Sequence, residues 1–168
     1  DIGIVPVLSA TGSAVSQTIP VPPFDLVIFG GTGDLARRKL LPALLHRCRD
    51  GQMQAGSRVI GAAREAWSSA DYRDWVRTAL APEAAADAAL LDRFVASVEF
   101  ASVDLSSDRG WPELAGLLAQ KPEQVDVFYL AVAPALFGDA CRRLGAHGLN
   151  GPRARLVIEK PIGHDLAS

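Results

Sequence analysis

The sequence predicts an α/β protein whose core is a doubly wound parallel sheet. Short apolar segments alternate with longer stretches of helical periodicity from residue 24 to residue 160. Strands that are joined by crossover helices form parallel sheets with helices on both faces. The length of 168 residues corresponds to about one domain, and a hydrophobic content of 49% is enough for a sizeable buried core.

The first predicted strand and helix lie on either side of a glycine cluster. FDLVIFG at 24–30 has the pattern of a short buried strand that ends in glycine. Leucines and Cys48 then recur at helical spacing from Leu40, and Asp50-Gly51 is a stop signal. Because proline disrupts a helix interior, Pro42 must lie early in this helix or bend it.

The middle of the chain continues the alternation. SRVIGAA at 57–63 is the second predicted strand. The segment 68–81 begins with a Ser/Asp capping signal and continues as an amphipathic helix. The segment 83–98 has the pattern of another helix, and VEFASVD at 98–104 is the third predicted strand.

The last third of the chain supplies the remaining elements. A crossover helix is predicted at 106–120, with a Trp-Pro pair near its start. QVDVFYLAVA at 124–133 is the fourth strand, 134–149 is a helix, and ARLVIEK at 154–160 is the fifth strand. The sequence contains no internal repeat.

The first 23 residues are predicted to lie outside this fold. The segment is small, polar and proline-rich, and it lacks both the basic region and the initiator Met of a signal peptide. We therefore expect a flexible leader over 1–23 and a folded domain over 24–168.

Charge and cysteine content exclude several classes of function. The net charge of −2 gives no electrostatic reason to expect nucleic acid or an anionic membrane as a partner. No apolar run reaches the roughly 20 residues that span a bilayer. Cys48 and Cys141 form no C-x-x-C motif, which fits a reduced cytoplasmic protein, and we predict no metal site.

A glycine motif follows the first predicted strand and opens the first helix. Gly31 to Ala36 read G-x-G-x-x-A, and Gly30 precedes them. Such glycines let the backbone approach a pyrophosphate, while the helix N-terminus directs N–H groups at the anion. The motif is weak alone, but its place in the first strand–turn–helix predicts a Rossmann-like dinucleotide site. The alternatives are a turn without a ligand, and a phosphate loop, whose G-x-x-x-x-G-K-[ST] pattern is missing.

The end of the second strand indicates which dinucleotide binds. An acidic residue there reads the ribose 2′-OH of NAD, whereas an arginine accommodates the 2′-phosphate of NADP. Arg64 comes directly after the strand, and Glu65 follows it. A guanidinium can grip a phosphate with two hydrogen bonds, although an arginine in a loop can also be merely solvated. We predict NADP as the cofactor.

Glu159, Lys160 and Pro161 lie at the carboxyl end of the fifth predicted strand. In an open α/β sheet this edge faces the ligand crevice. Lys160 could therefore reach an anionic substrate or the nicotinamide region, or it could be a solvated lysine at a strand end.

Together these motifs resemble one family. GGTGDLARRKLLPAL, GAAR, FYLAVAP and IEKPIGHDLAS, in this order and spacing, closely resemble the glucose-6-phosphate dehydrogenases, and the resemblance covers 24–168. It implies hydride transfer from C1 of glucose 6-phosphate to NADP⁺, which gives 6-phosphogluconolactone and opens the pentose phosphate pathway. It also implies that the full-length enzyme is a homo-oligomer.

The resemblance assigns roles to individual residues. Arg64 would bind the 2′-phosphate, Asp104 and Leu105 would line the adenosine side, and Tyr129 would lie near the nicotinamide. Lys160 would contact both substrate and coenzyme, and the Lys160-Pro161 bond is a candidate cis peptide. The coenzyme loop would consist of Gly30, Gly31, Thr32, Gly33, Asp34, Leu35, Ala36 and Arg37.

The same resemblance implies that the catalytic base lies elsewhere. Sugar oxidation needs a general base, and the family uses a His together with a His-Tyr-x-Gly-Lys segment, both beyond E-K-P. His46, His147 and His164 do not lie in such a motif. We therefore expect an NADP-binding domain over 24–168, with the second, substrate-binding domain absent from these 168 residues, that binds NADP⁺ without turnover.

Two other functions share parts of this pattern. Short-chain dehydrogenases need a Tyr followed four residues later by Lys, but Tyr72 is followed at that spacing by Val76, and Tyr129 by Ala133. The sequence therefore does not fit a short-chain dehydrogenase. An NADP-sensing regulatory module would keep the glycine loop and Arg64 but would not need Lys160, and it stays open as the alternative.

Overall fold

A five-stranded, entirely parallel sheet forms the centre of the computed structural model, which describes residues 22–159. The strand order is β3-β2-β1-β4-β5, which confirms the predicted doubly wound α/β fold. Residues 1–21 of the predicted leader (1–23), and all predictions on Lys160 and Pro161, lie outside the described residues. The strands are β1 (Phe24–Phe29), β2 (Arg58–Ala63), β3 (Val98–Ser102), β4 (Val125–Leu130) and β5 (Ala154–Ile158).

Five α-helices cover the two faces of the sheet. The predicted helix at 83–98 was wrong at its start: the Asp87 carboxylate accepts a 2.9 Å hydrogen bond from the backbone N–H of Leu90, so the helix begins only at Ala88. Across 22–159, no helix combines the length and apolarity that crossing a bilayer requires. The helices are α1 (Leu41–Arg49), α2 (Ser69–Leu80), α3 (Ala88–Ala96), α4 (Trp111–Ala119) and α5 (Phe137–Ala146).

A wide helical turn joins the glycine loop to α1. Residues Ala36–Leu40 form a π turn, and the backbone N–H of Leu41 donates to the carbonyl of Ala36. Pro42 follows in the first turn of α1. In a regular helix its ring would clash with the carbonyl four residues earlier, and the wider turn relieves that clash. The prediction that Pro42 lies early in the helix is confirmed.

The sheet separates two hydrophobic cores. Neighbouring residues of a strand point to opposite faces, so in β1 Leu26 and Ile28 belong to one core and Val27 and Phe29 to the other. The helices α1, α2 and α3 cover the first core, and α4 and α5 cover the second. This two-sided burial explains why β1 is a continuous apolar run rather than an alternating one.

A buried charged cluster closes the amino end of the sheet. Asp25 is fully buried, and its carboxylate accepts two 2.8 Å hydrogen bonds from Arg58 and a third from Gln124. Asp126 lies nearby and is 7% exposed. Since this cluster is at the amino edge, it lies at the opposite end of the sheet from any ligand crevice.

Candidate coenzyme-binding site

A cleft of about 360 Å³ lies at the carboxyl edge of the sheet, where β1, β2 and β3 end. The chain crosses from β3 to the far side of β1 to form β4, and ligands of open α/β sheets bind at such a switch point. The cleft brings together six of the predicted site residues: Gly30, Thr32, Gly33, Arg64, Asp104 and Leu105.

The glycine loop is held against β2 by its own backbone. The N–H groups of Gly30 and Gly31 both donate to the carbonyl of Ala62, at 2.9 and 3.3 Å, and the N–H of Gly33 donates to Gly30 at 3.0 Å. Gly30 has a φ of +80°, and a Cβ there would lie closer than 3.0 Å to the carbonyl oxygen of Ala131. Glycine is therefore required at this turn.

Tyr72 supports the loop from below, a role that was not predicted from the sequence. Its ring is fully buried, and its hydroxyl donates a 2.7 Å hydrogen bond to the carbonyl of Gly31. Gly61 of β2 makes room for the ring, since a Cβ on Gly61 would lie closer than 3.0 Å to several of its atoms. A glycine inside a buried strand was the available signal for this close approach.

Arg64 and Glu65 follow β2 and differ in their partners among the described residues: the arginine is unpaired, and the carboxylate is hydrogen-bonded. Arg64 is exposed, and within 22–159 its guanidinium forms no ion pair or hydrogen bond. Glu65 accepts a 2.5 Å hydrogen bond from the hydroxyl of Thr32, which ties this carboxylate to the glycine loop. The edge of the cleft therefore offers the arginine to a ligand while the neighbouring acid is already engaged.

Asp104 shapes the segment that follows β3. Its carboxylate accepts hydrogen bonds from the backbone N–H and hydroxyl of Ser106, at 2.9 and 2.8 Å, and from Ser107. These bonds hold the pKa of Asp104 below its ordinary value. The indole of Trp111 donates to the Asp104 carbonyl at 2.9 Å, and Leu105 packs against the second core. Asp104 thus builds this wall of the cleft.

The remaining members of the predicted loop do not line the cleft. Ala36 is fully buried in the first core. The carboxylate of Asp34 lies 3.0 Å from Arg37 and 2.9 Å from Arg38, so it neutralises part of their charge. Gly31 and Leu35 likewise form the base of the loop rather than its open face.

Tyr129, Glu159 and Lys39 form a polar cluster at the same edge of the sheet. Its ring is 4% exposed, and its hydroxyl donates to Glu159 at 3.1 Å. Lys39 bonds the other oxygen of that carboxylate. The lysine bond is the main reason that the pKa of Glu159 falls below its ordinary value, while burial and then Glu159 raise the pKa of Tyr129. This group links the π turn to the end of β5.

The histidines of the described region lie away from the cleft. His46 is next to Arg49 on α1, and His147 contacts Asp108 at the end of α5. Within 22–159, no three His, Cys, Asp or Glu side chains are grouped in a way that could hold a metal ion.

The sequence and the fold match one protein family. A sequence profile described as "Glucose-6-phosphate dehydrogenase, NAD binding domain" matches residues 27–168. The chain belongs to this family. Its relatives in the glucose-6-phosphate dehydrogenase family include the glucose-6-phosphate 1-dehydrogenases of Rhizobium meliloti (46% identical) and Mycolicibacterium smegmatis (48% identical). These alignments cover 91% and 89% of this chain but 32% of each relative, so the chain spans about a third of their length.

Solved structures of glucose-6-phosphate dehydrogenases have the same fold. The enzyme from Mycobacterium avium superposes with a TM-score of 0.73 at 32% identity, over 87% of this chain and 32% of that one. A glucose-6-phosphate dehydrogenase in complex with its substrate glucose 6-phosphate superposes with a TM-score of 0.73 at 33% identity, over 86% of this chain and 31% of that one. The resemblance drawn from the motifs is therefore confirmed, as is a nicotinamide dinucleotide as the cofactor class of this domain.

Proposed function

We propose that residues 24–168 form the NADP-binding domain of an enzyme that oxidises glucose 6-phosphate at C1 to 6-phosphogluconolactone, the entry reaction of the pentose phosphate pathway. The single observation that carries the coenzyme choice is the free guanidinium of Arg64 at the end of β2, beside a Glu65 that is already bonded to Thr32. A 2′-phosphate needs an unpaired cation, and since Glu65 is bonded to Thr32 rather than to Arg64, the arginine is left unpaired within the described region.

The glycine loop fits the pyrophosphate of such a coenzyme. The amides of Gly30, Gly31 and Gly33 are bonded within the protein, so they set the shape of the turn. The anion would instead meet the N–H groups at the start of the helix, where the helix dipole favours negative charge. When bound, NADP⁺ supplies the hydride acceptor; the described residues bind and orient it.

The substrate side of the proposal depends mainly on residues outside the described region. Lys160 is proposed to contact glucose 6-phosphate and the coenzyme, because it directly follows Glu159 at the carboxyl end of β5. No histidine of 22–159 lines the cleft. We therefore propose that this chain by itself binds coenzyme without turnover, and that the general base belongs to another part of the enzyme.

Location and assembly belong to the same proposal. Cys48 and Cys141 are both free thiols, which is the usual state in the reducing cytoplasm. We propose a cytoplasmic enzyme that assembles as a homo-oligomer, as the family resemblance implies.

Calorimetric titration of the 168-residue chain with NADP⁺ and with NAD⁺ at low salt tests the proposal. Saturable binding that favours NADP⁺ is expected. Equal affinity for both coenzymes would contradict the assignment of Arg64, and no binding of either would contradict a self-sufficient coenzyme domain.

A further inference from the structure

A second arginine lies against the backbone of Arg64. Arg109 follows β3 in the chain, and its Nη2 donates to the carbonyl oxygen of Arg64 at 3.3 Å. Its Nη1 donates to the hydroxyl of Ser102, the last residue of β3, at 2.9 Å. These bonds place the two residues together at the carboxyl edge, where β2 and β3 end.

The segment that carries Arg109 is fixed by hydrogen bonds. The N–H of Asp104 donates to the carbonyl of Arg109 at 3.0 Å, and the N–H of Arg109 donates to the hydroxyl of Ser107 at 3.2 Å. Trp111, fully buried in the second core, anchors the end of the segment. The position of Arg109 is therefore set by the fold.

The Arg109 side chain is exposed, and among residues 22–159 it forms no ion pair. One acidic group lies near it: the charge of Arg109 is a minor cause of the lowered pKa of Asp104, whose carboxylate is hydrogen-bonded to Ser106 and Ser107 rather than to the arginine. A guanidinium carries five N–H donors, and the two bonds to Ser102 and Arg64 leave three available. Two other arginines near this edge differ, since Arg37 and Arg38 are both paired with Asp34.

We propose that Arg109 is a second ligand of the coenzyme's 2′-phosphate, and that it acts with Arg64 to distinguish NADP from NAD. This inference rests on the proposed function. At neutral pH a 2′-phosphate carries between one and two negative charges and three acceptor oxygens, so a second guanidinium bonded to the backbone of Arg64 can add to the binding of the first. The 2′-OH of NAD offers no such charge, so Arg109 adds little to its binding.

Variants of Arg109 in the 168-residue chain test this assignment by titration with NADP⁺, NAD⁺, 2′,5′-ADP and 5′-AMP. Arg109→Ala should weaken NADP⁺ and 2′,5′-ADP about tenfold, the lower range for a hydrogen bond to a charged group, and change NAD⁺ and 5′-AMP less than about twofold. Arg109→Gln, which keeps donors but no charge, should behave like Arg109→Ala. Arg109→Lys, which keeps the charge, should lose less than about threefold.

Arg93 provides a matched control. It is an exposed arginine on α3 at the amino side of the sheet, and Arg93→Ala removes one positive charge without touching the cleft. Its affinity for all four ligands should equal that of the unmodified chain. Thermal denaturation of every variant checks that the fold is intact.

The outcomes separate this inference from the proposed function. If the unmodified chain does not prefer NADP⁺, both are overturned. If it does, and Arg64→Ala loses the preference while Arg109→Ala and Arg109→Gln bind like the unmodified chain, only the role of Arg109 is overturned. If Arg109→Gln weakens the binding of 2′,5′-ADP and of 5′-AMP equally, the role of Arg109 is also overturned. The residue would then act on the shape of the cleft and not on the 2′-phosphate.

Discussion

Tyr72 and Gly31, which are 41 residues apart in the chain, meet in a buried 2.7 Å hydrogen bond that connects α2 to the glycine loop. Burial, and to a lesser degree the Glu65 carboxylate, raise the pKa of Tyr72 well above its ordinary value. The hydroxyl therefore stays protonated and donates throughout the ordinary pH range.

Removing this hydroxyl should weaken both the fold and the site. In Tyr72→Phe the buried Gly31 carbonyl loses its donor, which should lower the free energy of unfolding by about 1–2 kcal/mol. Because the loop loses a support, coenzyme affinity should also fall several-fold, as measured by titration. Thr78→Val removes a hydroxyl from the exposed face of the same helix and should change coenzyme affinity little. Equal affinities in Tyr72→Phe and the unmodified chain would show that the loop keeps its shape without Tyr72.

Gly61→Ala should disturb the same contact by steric overlap. The new methyl group would lie closer than 3.0 Å to the ring of Tyr72, which is fully buried. We expect a loss of about 1–3 kcal/mol in chemical denaturation, typical of overpacking, and weaker coenzyme binding. Gly116→Ala is the control: on α4 the added methyl meets no atom within 4 Å, and it should be neutral or slightly stabilising. Comparable destabilisation by both changes would contradict the overlap.

Arg64→Ala should reduce NADP⁺ binding by about 1.5–3 kcal/mol, the worth of a hydrogen bond to a charged group. NAD⁺ affinity should change little, since the 2′-OH does not need the cation. Calorimetric titration with both coenzymes measures the difference. An equal loss for the two would mean that Arg64 contributes to the shape of the cleft instead.

Stability should fall as the pH rises through the titration of Asp126. Burial raises its pKa to about 6, with Asp25 adding repulsion and Arg153 and Arg58 opposing it. One oxygen, Oδ1, has no hydrogen-bond partner among the described residues. Because the unfolded carboxyl titrates near ~3.9, the folded state binds the proton more tightly, and this stabilisation is lost between about pH 4 and pH 7.

Asp126→Asn should remove that part of the pH dependence. At pH 7–8 it should be more stable than the unmodified chain, by at most about 3 kcal/mol, because it has no charge to bury. Urea denaturation between pH 4 and pH 8 measures the effect. Glu123→Gln, at an exposed position next to β4, should leave the pH profile unchanged. If the stability of Asp126→Asn changed with pH in parallel with that of the unmodified chain, the Asp126 carboxyl would be ionised in the folded protein over the whole range from pH 4 to pH 8.

The strands and the order of elements could be predicted because their signals are local. A buried parallel strand such as β1 is an apolar run bounded by glycine, and this pattern needs no knowledge of its neighbours. The helix start at Ala88 could not be placed, since the alanines before it favour helix while the capping bond of Asp87 decides the boundary.

The candidate site was predicted only as far as its motif extends. Gly30, Thr32, Gly33 and Arg64 belong to one recognisable pattern, and the fold gathers them in one cleft. Tyr72 and Arg109 carry no such local signal. Their roles arise from contacts with residues 41 and 45 positions away, to Gly31 and Arg64, which exist only after the helices have packed on the sheet.

The inward-facing amides of Gly30 and Gly31 have a consequence for binding kinetics. Since Ala62 holds both N–H groups and Tyr72 holds the Gly31 carbonyl, the loop is ordered before any coenzyme arrives. The entropy of ordering this segment belongs to folding and does not reduce affinity. Association should therefore be a single step limited by diffusional encounter and docking, with no slow rearrangement of the glycine loop after contact.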